Sequence, residues 1–506
     1  MIARLAVRNL VYQPWRSALL LLGYGLGVGV MIVLLAIGEA LLSQARDEKL
    51  VGGGSITVLP EGLDVEVMKT GGVGGLYFSI DQARFVYRQL LAAPRFADVV
   101  AAAAPQVEGK LLYLRPARAG GAEYAVRATG EIPSRTAGVG AAAPLALGAW
   151  TDDDGDRAWM TPSPRELYGE VDHFHHTPTD VENRESWGEW HYFNVLSHDH
   201  RRWAFISFIL GGDVPNGRWG AQVLVSVREQ GGRTRKFSTI AEPRDIAFST
   251  TSPDLAVGDS RVTLLDDGRY AVRARTREEG GSAELTLDLI VTPAPRAYFP
   301  GAALASGAFT SGYAVAALRA DATGTLCVSG RCERYDGAQA YHDHNWGVWR
   351  GVTWEWGAAR AGALTILYGR VQPPDSLASV PPFFLFVVDS LGFRAHFRPR
   401  EIRYDDARTI VVGGRAVRVP ARAVMAAVRG DDTLRLELDV EDAIGTDTRV
   451  TGDVGTVKAD ERGDQSAARA LARPYFIQMK GIARVRGRIG GAVVAGEGTG
   501  FFETYR

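Results

Sequence analysis

Arg261-Val-Thr-Leu-Leu-Asp-Asp-Gly-Arg-Tyr-Ala-Val-Arg-Ala274 decides the fold class of this chain. Asp267-Gly268 is a strong turn signal, and it joins Arg261–Leu265 to Arg269–Ala274 as a hairpin. The same period of two recurs at Val223, Val225 and Val227, at Leu285, Leu287 and Leu289, and at Leu434, Leu436, Leu438 and Val440. That period marks antiparallel strands buried on one face. From residue 185 onward no long amphipathic helix interrupts it; a short one is expected near Asp464–Leu471, ended by Pro474. About 320 residues of short, turn-punctuated strands suit two barrels or sandwiches, with a boundary expected near Tyr335.

A chain of 506 residues predicts two or three domains. Hydrophobic content of 46% and charged content of 23% are those of globular protein, so most of it should fold. The formal net charge of −1, with Arg spread along the chain, gives no electrostatic case for nucleic acid as a partner. Gly52–Gly54 and Gly71–Gly75 lack the strand–helix context of a nucleotide loop and read as turns. There is no Gly-x-Ser-x-Gly elbow, His-Glu-x-x-His or paired Cys-x-x-Cys, and no cofactor is called for.

The two cysteines lie in Cys327-Val-Ser-Gly-Arg-Cys332. A two-residue Ser329-Gly330 turn sets them opposite each other at a non-hydrogen-bonded position, within disulfide reach. Such a bond would fit an oxidising compartment; the competing reading is two reduced, partly buried thiols.

Ala18–Ile37 is an uncharged run of twenty residues, enough for a helix to span a bilayer's hydrocarbon core. Arg4, Arg8 and Arg16 precede it, and Glu39, Arg46, Asp47, Glu48 and Lys49 nearly cancel beyond it. The bias places the N-terminus in the cytoplasm and the bulk outside: a single-pass protein of a bacterial inner membrane, mostly periplasmic. A cleaved signal peptide is the competing reading, although its apolar region should be only about 7–15 residues long. Ser55–Pro60 reads as a strand, and Ser79–Ala92 as a helix capped by Ser79 with Gln82 at the capping-box position. Arg8-Asn-Leu, Pro14-Trp-Arg-Ser17 and Ile56-Thr-Val-Leu-Pro-Glu-Gly62 together resemble the start of FtsX-like ABC transporter permeases of the macrolide-exporter type. The resemblance covers about residues 1–115 and implies the topology and a kinship with ABC exporter subunits, but not a pore, which one span cannot build.

Eight of the nine histidines fall in two regions: Asp172-His-Phe-His-His176 with His191, His198 and His200, and Tyr341-His-Asp-His-Asn-Trp-Gly347. If extended, the second stretch turns His342, His344 and Trp346 to one face and Tyr341, Asp343 and Asn345 to the other. Trp349, Trp354 and Trp356 follow, and Leu364, Ile366, Tyr368 and Arg370 share a later strand face. In the first stretch His173 and His175 would share a face beside Asp172, so zinc or iron is conceivable there. The sequence supplies no third and fourth ligand, and no metal is assigned.

Tyr341-His-Asp-His-Asn-Trp-Gly347 resembles the signature of the carotenoid 1,2-hydratase (hydroxyneurosporene synthase) and AttH family. Gly188-Glu-Trp-His-Tyr-Phe193 and Gly498-Thr-Gly-Phe-Phe-Glu503 are weaker matches, and together they cover about residues 165–506. The resemblance implies tandem lipocalin-like domains acting on long apolar isoprenoid or polyketide-type molecules. It also implies catalytic roles for His344 with Trp346 and for Tyr368, while Arg370 stands where the family has an Asp. An Arg is no proton donor at neutral pH, so Arg370 would pair with Asp343 or hold an anionic head group. Asp343 or His344 would supply a proton if burial tunes its pKa. The competing reading makes the heptad a hydrogen-bonded corner between the two barrels, with Trp346 plugging the core.

The expectation is therefore a mainly β chain: two consecutive lipocalin-like antiparallel barrels preceded by one transmembrane helix and a small α+β fragment. The expected parts are 1–50 (N-terminus and anchor), 51–116 (permease-like fragment), 117–160 (linker rich in Ala, Gly and Pro), 161–335 (first barrel) and 336–506 (second barrel, opening on the heptad). The expected partner is a lipophilic small molecule, bound or transformed by His344, Asp343 and Tyr368 with His342, Trp346, Trp349, Arg370, Trp190 and Tyr192. An accessory subunit of an ABC-type exporter is the alternative, and a His-site metalloenzyme the third reading.

Overall fold

Period two does at Arg261–Ala274 what it must. Strands Ser260–Leu264 and Tyr270–Glu278 pair antiparallel, with Tyr270 opposite Leu264. Val262, Leu264, Tyr270, Val272 and Ala274 all enter one core. The turn is one residue wider than the Asp-Gly pair suggests. The amide of Leu265 bonds the Arg269 carbonyl, which leaves Asp266, Asp267 and Gly268 in the loop, with Gly268 at φ 81°. A glycine in that conformation is the usual end of a three-residue hairpin loop.

The computed structural model describes residues 14–46, 56, 80–91, 93–114, 124–140, 151–179, 181, 184–229, 232–306, 309–349, 352–372, 383–447 and 474–506. The strand expected at Ser55–Pro60 (Ile56 apart), the Ser79 cap, the two glycine runs and the Asp464–Leu471 helix lie outside them. Met1–Ser79 with Val100–Asp156 form one unit, and Ile80–Val99 with Arg157–Arg506 the other.

In the first unit helix α1 (Pro14–Arg46) contains the stretch Pro14–Ala36, within which an 18-residue window has mean hydropathy 2.5. It is long and apolar enough to cross a membrane, a test that a signal sequence near an N-terminus also passes. The unit also holds an antiparallel hairpin, β1 (Gln106–Leu114) and β2 (Tyr124–Glu131). Helix α2 (Ile80–Leu91) belongs to the second unit, not with the permease-like fragment, and buries Phe85 against Tyr298 and Phe386. The expected linker is not featureless: β2, α3 (Pro133–Gly138) and α4 (Asp154–Met160) fall within it.

Helix α5 (Pro164–Val171) starts in a capping box, Ser163 with Glu166, and ends at Asp172. The first barrel follows: β3 (Trp187–Leu196), β4 (Arg202–Asp213), β5 (Arg218–Glu229), β6 (Thr234–Ala241), then three short strands, β7 (Ile246–Phe248), β8 (Leu255–Val257) and β9 (Ser260–Leu264). It continues with β10 (Tyr270–Glu278), β11 (Glu284–Pro293), β12 (Phe299–Ser306), β13 (Phe309–Val328), β14 (Arg331–Arg334) and β15 (Ala338–Val348). Strands β10-β11-β13-β15-β3-β4-β5-β6 form a ring that closes through β6 and β10. Phe193, Phe208, Phe237 and Tyr270 fill it. On the β13–β14 hairpin Ser329 and Gly330 take positive φ, and Cys327 and Cys332 face each other with Cα atoms 3.9 Å apart, joined by a disulfide.

The second sheet contains β16 (Thr353–Ala361), β17 (Leu364–Gln372), β18 (Phe384–Asp389), β19 (Gly392–Phe397) and β20 (Ile402–Asp405), then, beyond the small hairpin of β21 (Arg408–Val412) and β22 (Arg415–Val419), β23 (Arg422–Arg429), β24 (Asp432–Asp447), β25 (Tyr475–Ile489) and β26 (Ala492–Tyr505). Its order, β19-β18-β17-β16-β26-β25-β24-β23-β20, leaves it open. Leu434, Leu436 and Leu438 point into its core as their alternation requires. The chain is thus mainly β, with two consecutive lipocalin-like antiparallel barrels, the first closed on eight strands and the second a nine-stranded half-barrel.

The boundary falls later than Tyr335. Strand β15 pairs with both β13 and β3, so the heptad completes the first barrel and is a strand, not a corner. Gly347 ends it at φ 135°, where a Cβ would stand 2.5 Å from the Ser311 Cα and the Thr310 carbonyl. Gly347→Ala should therefore cost more than about 2 kcal/mol in chemical denaturation, against about 1 kcal/mol for Gly217→Ala, whose positive φ faces open space. Equal losses would show that the close approach at Gly347 is not real.

Candidate functional site

Strand β15 presents two different chemistries on its two faces. Inward, His342 and His344 are fully buried and converge on Asp172, also fully buried at the C-cap of α5. His342 Nε2 lies 2.8 Å from Asp172 Oδ2, which also accepts from the Tyr270 hydroxyl at 2.8 Å. His344 Nδ1 lies 2.9 Å from Asp172 Oδ1, and its Nε2 lies 3.0 Å from Glu189 Oε1. Glu189 Oε1 further meets His175 Nδ1 at 2.9 Å.

Burial opposes every charge here, and the partners outweigh it at His344, Asp172 and Glu189. His344, between two carboxylates, is pushed up to about 10 and stays an imidazolium. Asp172 is held well below the usual carboxylate range by His342 and His191 despite its burial, and Glu189 is lowered by His175 and His344. Burial wins at His191, pushed down to about 4. The inner cluster is thus an ion network built around the His344 imidazolium and two buried carboxylates.

The outer face of β15 meets the second sheet in an aromatic layer that includes Trp190, Trp349, Trp354, Trp356, Tyr192 and Phe501. Two carboxyl groups are buried in it. Asp343 accepts from the Tyr341 hydroxyl at 2.7 Å, the Asn345 amide at 2.8 Å and the Trp356 indole at 3.1 Å. Glu503, on β26, accepts from Tyr192 at 3.0 Å, Gln478 at 3.1 Å and Trp354 at 3.2 Å. All six donors are uncharged, so burial dominates. It pushes Asp343 up to about 6, and, with Asp343 adding like charge, pushes Glu503 up to about 7. A small cavity adjoins the layer, lined among others by Asn194, Gln339, Tyr341, Arg360, Lys480 and Phe501. Tyr341 thus stands between that cavity and Asp343.

The residues singled out in the sequence are divided among three places. Asp343, Trp190, Tyr192 and Trp349 meet in the outer layer. His342 and His344 belong to the inner network, and Trp346 stacks on His175 at 3.8 Å. Tyr368 is buried in the second core against Phe502, its hydroxyl 3.5 Å from the Glu503 carbonyl oxygen. Arg370 lies over the Phe383 ring at 3.8 Å, while the bonds of Asp343 go to neutral donors, so the expected Arg370–Asp343 pair does not form. The metal grouping suggested by Asp172, His173 and His175 does not form either. His173 turns to the Glu170 carbonyl, and Asp172 turns inward to histidines of β3 and β15.

Sequence reading missed Glu503, Glu189 and the pairing of Asp172. Glu189 and Glu503 stand inside the two motifs flanking the heptad, which was the one signal available for them.

No family model and no curated protein matches the sequence. Solved structures that align with it include a protein designated AttH from Nitrosomonas europaea, 15% identical, with a TM-score of 0.40 over 66% of this chain and 98% of that one. Kievitone hydratase from Nectria haematococca aligns at 14% identity and a TM-score of 0.39, over 65% of this chain and 93% of its own. CghA, crystallised with Sch210972, aligns at 13% identity and a TM-score of 0.41, over 66% and 95%. The permease-type resemblance of the first residues finds no support among the comparisons.

Proposed function

We propose that this protein binds a long, mostly apolar, unsaturated molecule at the aromatic layer between its barrels and transforms it by proton transfer. Acid-catalysed hydration, isomerisation and cyclisation of an alkene all begin with that step. Asp343 and Glu503 serve as the acid–base pair. The supporting observation is that these two carboxyl groups, raised to about 6 and about 7, are buried among uncharged donors. A buried acid with its pKa near the working pH can both give and retrieve a proton. The surrounding indole faces suit the carbocation that protonation of an alkene creates. Tyr341, bonded to Asp343 and lining the cavity, connects the acid to a bound molecule. His344 has no part in this step, because both its nitrogens are held by carboxylates.

Geranylgeraniol incubated with the full-length protein in D2O is the direct test. Deuterium should enter the alkene carbons, read by mass spectrometry. Glu503→Gln and Asp343→Asn should each lower incorporation by about 100-fold while leaving the melting temperature nearly unchanged. The acid must be protonated to act, so incorporation should fall as pH rises through about 7. Bound geranylgeraniol without deuterium exchange would mean a carrier, not an enzyme.

His344→Ala should behave in the opposite manner. It leaves Asp172 and Glu189 buried without their shared cation, and denaturant titration should show a loss of about 3–5 kcal/mol. A stable variant that had lost activity would instead return His344 to the reacting centre.

The apolar stretch Pro14–Ala36 supports one further part of the reading: an uncleaved anchor that keeps the N-terminus in the cytoplasm and displays the β portion on the other side. Alkaline phosphatase fused after Glu48 should be active in a bacterial host. An inactive but expressed fusion overturns that orientation.

A further inference from the structure

Among the buried polar atoms of the first barrel that lack a hydrogen-bond partner, one lies against the Asp172 carboxylate. His191 Nδ1 is fully buried and lies 3.5 Å from Asp172 Oδ1, while Nε2 of the same ring lies 3.0 Å from the Pro253 carbonyl oxygen. A carbonyl only accepts, so the ring proton belongs on Nε2, and the Nδ1 lone pair then points at a carboxylate oxygen. The other tautomer merely moves the conflict to Pro253. His342 repeats the arrangement: Nδ1 faces the Tyr192 carbonyl oxygen at 3.1 Å, and Nε2 faces Asp172 Oδ2 at 2.8 Å. Two imidazoles therefore hold their outer nitrogens on backbone carbonyls and turn their inner nitrogens to one carboxylate. That outer hydrogen bond is what fixes the tautomer and ring angle of a metal-binding histidine. A proton could settle one of these contacts, whereas a metal ion satisfies His191 Nδ1, His342 Nε2 and the carboxylate together.

We propose that Asp172, His191 and His342 form a binding site for a divalent transition-metal ion of the zinc type. Their ligand atoms lie within 4.8 Å of one another, compact enough to close on one ion with small shifts. Two nitrogens and a carboxylate select a borderline ion such as Zn2+ over the all-oxygen preference of Ca2+ or Mg2+. The Tyr270 hydroxyl, 2.8 Å from Asp172 Oδ2, offers an oxygen as fourth ligand. The neighbouring grouping of His175, Glu189 and His344 is a poorer candidate, because His344 gives both ring protons to carboxylates. Glu189 shares the charge of His344 with Asp172 Oδ1, while Asp172 Oδ2 faces His342. All three ligands are fully buried, so the ion is structural and is taken up as the barrel forms. The site lies on the inner face of β15, and its test is independent of the proton-transfer reading.

The full-length protein in detergent, produced in metal-depleted medium, is supplied with Co2+ or Zn2+ during refolding and then desalted. About one equivalent of metal should remain, Co2+ should give the visible absorption of a nitrogen- and oxygen-ligated ion, and Zn2+ should raise the melting temperature. His191→Ala should lower retained metal at least about 10-fold, and His173→Ala should not change it. Should His191→Ala fail to fold, the wild-type Co2+ spectrum and zinc content decide alone. Wild type retaining less than about 0.1 equivalent, with no shift in melting temperature, overturns the proposal, as does unchanged metal in a folded His191→Ala protein.

Discussion

The carboxylate of Asp172 holds the first barrel together. It sits at the end of α5, shut away from water, and receives His342 and His344 from β15 and Tyr270 from β10, with His191 of β3 against it. An unpaired carboxylate in that position would cost several kcal/mol. The segment after α5 and these three strands must therefore come together, or the charge has nowhere to go. The same contact sets the register of β15. With His342 and His344 held inside, Tyr341 and Asp343 have only the opposite face, since a slip of one residue would exchange the two sets.

Adjacent carboxylates and imidazoles on these strands end with opposite behaviour because their donors differ. Asp172 and Glu189 are met by histidines, which keep them ionised although both are buried. Asp343 and Glu503 are met by phenol, amide and indole groups, which bond a carboxylate but add no positive charge, so burial raises both. The lowered carboxylates of the inner face and the raised ones of the outer face therefore follow from which neighbours carry charge, not from the residue types alone.

Alternation was legible directly: it located the hairpin at Arg261–Ala274, the inward leucines of β24, the opposed cysteines and the two faces of β15. Long-range pairing was not. Asp172 and His344 are 172 residues apart, and Tyr192 and Glu503 are 311 apart, separations at which a local pattern carries no information. The last strand of the first barrel was hidden for a related reason. A closed barrel needs a last strand to return beside its first, and nothing local in Ala338–Val348 says that its partner is Trp187–Leu196. The sequence offered Asp343 or His344 as the proton donor, and the structure sets His344 between two carboxylates that push it up to about 10.

The filling of both cores bears on where a ligand can go. Lipocalin-like barrels hold small molecules inside when the lining leaves room. Here the inner space of the first barrel is taken by Phe193, Phe208, Phe237 and Tyr270 together with the Asp172 network. The second is taken by Tyr368, Phe397, Met425 and Phe502. Each of these side chains has almost no accessible surface, so admitting a long apolar molecule to either core would mean displacing several aromatic rings at once. The layer between the sheets differs in holding a small cavity at its edge. It already joins a small cavity to indole faces and to two protonatable carboxyl groups, and Tyr341 touches both the cavity and the acid. Two filled barrels thus leave the seam between the sheets as the place where the proposed proton transfer is to be sought.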